Sequence, residues 1–221
     1  MDKKYEIISL GVNCLPRTIL TRGGIKATKA QGELSCPFDL VRHPLNVILH
    51  YLETDFNDYF EGLYFTVRKR NFLDFRKRGF WHKIDGTVYN HDRDCGINDQ
   101  EKLTTRYKNR IKNFRNIVSS PCPVIFVLNI QEQPELIDKL YDVLAKYRKN
   151  YKYKLVIYDF NDLIKNNTNE NIHILKLPLP IENYHSGIKG WNNKKFRNSP
   201  LGKYVEKCIC EFTKRVINTL N

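Results

Sequence analysis

At 221 residues, 41% of them hydrophobic, the chain is long enough to bury one sizeable core and needs no second one, so a single domain over 1–221 is expected. No run of about 18 uncharged apolar residues occurs, and Met1-Asp2-Lys3-Lys4 leads into a strand pattern, so neither a membrane span nor a secretory leader is expected and the simplest location is the cytoplasm. The net charge of +13 invites a polyanion partner, but the lysines are scattered among asparagines and no nucleic-acid motif stands out, so nucleic acid is not favoured.

Tyr5 to Leu10 reads as a short buried strand. Asn13 then caps a helix over 14–22, with Pro16 in its first turn and Gly23-Gly24 as its stop. Leu45, Ile48, Leu49 and Leu52 predict a second helix over 43–53 that begins at Pro44. Around 64–91 the pattern changes to a β-hairpin insertion, turning at Asp85-Gly86. Leu103, Tyr107, Ile111, Phe114 and Val118 predict a long helix over 99–118. After Pro121 come a strand over 124–128, a helix through Leu136, Leu140, Leu144 and Tyr147, and strands over 155–158 and 172–177. A last helix over 200–219 is expected to turn Leu201, Tyr204, Cys208, Phe212 and Val216 inward. Apolar strands alternating with amphipathic helices predict an α/β fold: an open, mostly parallel sheet with helices on both faces, a Rossmann-like three-layer arrangement.

Six cysteines are too sparse for a disulfide scaffold. Cys208-x-Cys210 lacks the spacing and the second knuckle of a zinc site, so reduced thiols and no metal are expected. The densest basic patches, Arg68-Lys69-Arg70, Arg76-Lys77-Arg78 and the helix carrying Arg106, Lys108, Arg110, Lys112 and Arg115, read first as solvated faces.

The junction Ile7-Ile8-Ser9-Leu10-Gly11-Val12-Asn13-Cys14 carries the chemistry. In an open parallel sheet, ligands gather at the carboxyl ends of the strands. Gly11 lets the chain turn, and Cys14 falls at the positive end of a helix, where free N–H groups favour thiolate and lower its pKa. A nucleophile fits there; a tightly packed core cysteine also fits.

Ser9-Leu10-Gly11-Val12-Asn13-Cys14, Ser35-Cys36-Pro37-Phe38-Asp39, Asn90-His91-Asp92 and Tyr107-Lys108-Asn109-Arg110-Ile111-Lys112-Asn113-Phe114 together resemble an uncharacterised bacterial and viral family labelled papain-like cysteine peptidase. The blocks keep the family's order over most of the chain; Leu40 departs from its usual Trp after Phe-Asp. The resemblance implies roles for Cys14 and His91. Cys before His is the papain order, and Asp92 or Asp94 would orient the ring. His185, three residues after Glu182 and just beyond the last strand, is the rival base; its layout is similar to that of Gly-Asp-Ser lipases and esterases. His43, His50, His82 and His173 read as surface or core. Ser35, Phe38 and Asp39 form a candidate wall, with Asp39 bonding backbone or Arg42. Asn13 with the Cys14 N–H is a candidate oxyanion donor, Arg17 a partner for an anionic substrate, and Gly187, Gly190 and Trp191 a candidate mouth.

Three functions follow. One is a cysteine-nucleophile hydrolase on a small-molecule or peptide acyl substrate, needing no cofactor. Its parallel sheet conflicts with a true papain fold. The second is an acyltransferase passing an acyl group from coenzyme A to a sugar or amine, because strand-Gly-x-Asn-Cys-helix is also similar to a capsule-biosynthesis family that binds coenzyme A. The third is a non-enzymatic basic module that binds a polyanion.

Overall fold

A computed structural model describes residues 4–68, 77–82, 87–89, 91–92, 94–177 and 197–220. Four strands, β1 (Glu6–Ser9), β2 (Val124–Ile130), β3 (Tyr153–Asp159) and β4 (Ile172–Lys176), lie in that spatial order. Every neighbouring pair is parallel, with Ile7 opposite Ile125, Asn129 opposite Tyr158 and Val156 opposite His173. β2 is buried from end to end, as a strand covered on both faces must be. The sheet is open.

Alternate side chains send two cores to opposite faces. Ile8, Leu10, Phe126, Leu128, Leu155 and Ile157 meet helices α2 (Leu45–Glu53), α3 (Gln100–Val118) and α4 (Ile137–Arg148). Ile7, Ile125, Val127, Val156 and Tyr158 meet α1 (Leu15–Arg22) and α5 (Pro200–Asn218). The predicted α/β class with helices on both faces is the one observed. The insertion is larger than a hairpin. Leu63–Arg68, Lys77–His82 and Val88–Tyr89 form a three-stranded antiparallel sheet, while the Asp85-Gly86 turn lies outside the described residues.

α5 corrects the periodicity reading. Its buried face is Gly202, Val205, Ile209, Thr213 and Val216, so Tyr204 is 58% exposed and Cys208 only half-buried. Gly202 and four β-branched side chains let the helix approach the sheet closely, and Thr213 joins the buried Tyr158 hydroxyl at 2.7 Å. The approach is tight at Gly23 too, where a Cβ would fall 2.3 Å from Cys210 Sγ.

At the far, amino edge of the sheet the C-terminal ends of α2, α3 and α4 converge around a cleft of about 690 Å³ lined by Leu52, Arg115, Val143, Tyr147 and Lys149. Lys149 ends α4 at φ 51°, ψ −112°, and Tyr151 N–H closes the turn onto Arg148 O at 2.8 Å. Those angles belong to the first central residue of a type II′ turn, a position suited to glycine. Lys149→Gly should therefore raise stability by about 1 kcal/mol, the relieved strain outweighing the added chain entropy, or roughly 3 °C in melting temperature. A lower melting temperature for this variant would refute the strain.

Candidate functional site

The β1–α1 junction stands at the carboxyl edge. Leu10 N–H donates to Val127 O at 2.8 Å, extending the β1–β2 ladder one residue past the strand. Gly11 is needed for space: an added Cβ would lie 2.5 Å from Phe38 O and 2.8 Å from Asn13 O. It has no positive φ, so close approach of the 38–41 segment, more than turning freedom, excludes a side chain.

Helix α1 begins at Leu15, with Cys14 at its N-cap, one residue later than predicted. Asn13 still caps it from outside, because its Oδ1 accepts the Leu15 N–H at 2.9 Å. The Asn13 amide is turned away from solvent. Its Nδ2 donates at 2.8 Å to Asn129 Oδ1, and Asn129 Nδ2 donates at 3.1 Å to Tyr158 O. All three groups are buried. Asn129 is a residue that sequence reasoning missed; the available signal was a lone amide near the carboxyl end of the apolar run Val124-Ile-Phe-Val-Leu-Asn-Ile130.

Cys14 is half-buried. Burial pushes its thiol up, and the downward pull of the backbone N–H at Cys14 and of the Thr18 hydroxyl is the smaller effect. The Cys14 side chain makes no cap bond to the first N–H groups of α1, so the expected lowering by the helix terminus does not prevail over desolvation. One turn on, Thr18 N–H and Oγ1 both donate to Cys14 O, at 3.1 and 2.7 Å. Thr18 was also missed.

The 35–43 segment forms the wall. Phe38 is fully buried, with its ring centroid 5.4 Å from that of His43 and 6.3 Å from that of Phe114. Asp39 is also fully buried, and its partner is Arg17, not Arg42: Arg17 Nη1 meets Asp39 Oδ2 at 2.6 Å and Cys36 N–H donates to the same oxygen at 2.8 Å. Arg17 is accordingly turned inward onto the wall and is 7% exposed. A second buried pair, Lys26 with Glu33, lies alongside, its ammonium also donating to Ile7 O. Burial, with Asp39 adding to it, pushes the enclosed Cys36 thiol well up. His43 is core: its backbone N–H reaches Gly11 O, Thr87 Oγ1 lies 2.7 Å from its Nδ1, and Tyr51, Tyr59 and Tyr89 surround it.

His91 is exposed just beyond the last strand of the small sheet, with the neighbouring Asp92 buried against α3. Asp92 Oδ2 accepts from the Tyr107 hydroxyl at 2.8 Å, and Oδ1 from Arg106 at 2.6 Å and Arg110 at 3.5 Å. Asp94 accepts two further bonds from Arg106 and pairs with Lys102, which hold its carboxyl well below the usual carboxylate range. These carboxylates fasten the loop to α3 and occupy Arg106 and Arg110 of that helix's basic patch. His185, Gly187, Gly190 and Trp191 lie outside the described residues. No group of three or more His, Cys, Asp or Glu placed to hold a metal, and no helix long and apolar enough to cross a membrane, occurs among the described residues.

The four blocks singled out in the sequence meet in space. Gly11 touches the carbonyl of Phe38; Asn113 Nδ2 donates to Ser35 O at 3.0 Å; Phe114 packs edge-on to Phe38; Tyr107 bonds Asp92. Fold and junction define an open parallel α/β protein with a half-buried thiol at the carboxyl end of its first strand. The chain belongs to the family described as "Putative papain-like cysteine peptidase", whose match spans residues 5–170 and so includes Cys14, Cys36, His91 and Asp92 but stops before His185. No curated protein and no solved structure matches it significantly.

Proposed function

We propose that the chain is a cysteine-nucleophile hydrolase in which Cys14 attacks an acyl carbonyl. The observation that carries this reading is the Cys14 thiol, half-buried at the N-cap of α1 on the carboxyl edge of the sheet, in a junction secured by Asn13 and inside the family match. Because burial favours the neutral thiol, the reading is general-base catalysis and not a standing thiolate–imidazolium pair. His91, which the family match includes, or His185 takes the Sγ proton as the Sγ–C bond forms; the protonated histidine returns it to the departing amine, alcohol or thiol as the carbonyl–heteroatom bond breaks. Water then cleaves the thioester, giving the acid and the free thiol. An amine or sugar hydroxyl in place of water would make the same intermediate an acyltransferase, with acyl-coenzyme A as donor.

The test is to present the protein with a p-nitrophenyl ester, an acyl-coenzyme A thioester and a peptide library, and to map adducts by peptide mass spectrometry. An acyl adduct on Cys14 is expected, with turnover reduced at least about a hundredfold in Cys14→Ala and with the histidine partner identified by His91→Ala and His185→Ala. In the ligand-free protein, iodoacetamide should alkylate Cys14 more slowly at pH 7 than it does a small free thiol, the rate rising as pH climbs toward a pKa above the ordinary thiol value. If no acyl probe labels Cys14 and Cys14→Ala changes nothing, the enzyme reading fails and a salt-dependent polyanion module takes its place.

A further inference from the structure

We infer that Asn129 is a positioning residue for Cys14, acting through Asn13. Three hydrogen bonds run in one direction across the buried edge of the sheet: Leu15 N–H to Asn13 Oδ1, Asn13 Nδ2 to Asn129 Oδ1, and Asn129 Nδ2 to Tyr158 O. Each amide accepts at its oxygen and donates at its nitrogen, so neither is flipped without placing two like groups face to face. Such a chain polarises its members and is expected to behave as one unit. Its anchors are the in-register pair Asn129 and Tyr158 on the two central strands. Its free end is the first helical N–H of α1, the residue after Cys14.

The consequence for chemistry is geometric. The junction leaves β1 after Ser9 and has only five residues before α1 begins. Asn13 is the member of that stretch whose side chain reaches the middle of the sheet, 116 residues away in sequence. Without Asn129, Asn13 keeps its cap on Leu15 but loses the tether that fixes where the cap stands. The thiol then keeps its helix but not its place relative to the sheet edge, where a bound acyl group would lie. Misplacement of a reacting atom by about 1 Å can lower a rate a hundredfold.

This inference rests on Cys14 as nucleophile only for its catalytic part, and two readouts separate the parts. Asn129→Ala and Asn13→Ser are compared with wild type for acyl transfer to Cys14 and for the pH profile of Cys14 alkylation, with melting temperature measured in parallel. Asn13→Ser keeps a hydroxyl acceptor within reach of Leu15 N–H, adds no charge beside Cys14, leaves the interior of β2 intact and is too short to donate to Asn129, so it serves even if Asn129→Ala fails to fold. The expected result is opposite movement in the two assays. Cys14 alkylation at pH 7.5 becomes severalfold faster as the released thiol is hydrated, while acyl transfer falls on the order of tenfold to a hundredfold. The two variants combined should do little more than either alone. A wild-type protein that never acylates, together with the alkylation shift, would sink the nucleophile and leave the positioning intact. If both variants lower the melting temperature while Cys14 keeps its alkylation profile within about twofold, Asn129 is merely structural and the inference is overturned.

Discussion

Replacing Arg148 with alanine should lower folding stability by about 3–5 kcal/mol, roughly 10 °C in melting temperature. Arg148 is fully buried, and its guanidinium serves five carbonyls: Nη1 donates to Ile117, Val118 and Ser120, and Nη2 to Cys122 and Lys152. Three of these belong to the end of α3 and the turn that follows it, where the helix dipole places partial negative charge and the last carbonyls have no partner within the helix. One side chain thus closes α3, admits the chain to β2 and ties the end of α4 to both. Burial pushes the Arg148 pKa down, which measures the cost of holding a cation there; its removal would leave several dry acceptors at once. Arg148→Lys should recover only part of the loss, because an ammonium has three donors for five acceptors. Urea unfolding with an unchanged m-value is the measurement. A loss below about 1 kcal/mol would mean that water replaces the guanidinium at small cost. The residue is at the amino edge, so Cys14 alkylation below the melting range should be unaffected.

Most of the architecture was legible because it rests on apolar pattern. The apolar runs Val124 to Leu128 and Leu155 to Tyr158 are uninterrupted enough to read as strands covered on both faces, though the strands extend to Ile130 and over Tyr153–Asp159, and α3 and α4 show their inward stripe plainly. α5 was misread by one position because Tyr204 and Phe212 looked like better core than Gly202 and Thr213. Helix-to-sheet distance decides that choice, and small residues set the distance. Within the site, Gly11, Asn13 and Cys14 were legible as a junction, but what holds them was not. Arg17, Lys26, Glu33 and Arg148 are charged groups in segments that pattern assigns to surfaces, and all four are buried, whereas Asp39 was legible as a buried wall carboxylate but its Arg17 partner was not. Only their partners make burial tolerable, and those partners are set by tertiary packing. Asn129 was hidden for the same reason, since its partner lies on another strand-end loop. The direction of the Cys14 pKa was misjudged because a helix terminus is visible in sequence and desolvation is not.

The buried Arg17–Asp39 pair should show this dependence directly. Asp39 is fully buried and Arg17 nearly so, with one oxygen of Asp39 shared between Arg17 and the Cys36 N–H. Arg17→Met would leave a carboxylate in the core opposite no cation and should lower stability by about 3–5 kcal/mol. Asp39→Asn would strand the guanidinium against α1 and should also destabilise the fold. The double variant Arg17→Met/Asp39→Asn keeps an acceptor for Cys36 N–H and buries no charge, so it should be more stable than the sum of the single losses predicts, by about 2 kcal/mol or more. Additivity within about 0.5 kcal/mol in a denaturation cycle would show the pair to be uncoupled. The pair joins the first turn of α1, three residues after Cys14, to the 36–39 wall that closes over Gly11. Recovered stability with lost acylation of Cys14 in the double variant would then assign the pair to alignment of the junction; recovery of both would assign it to packing alone.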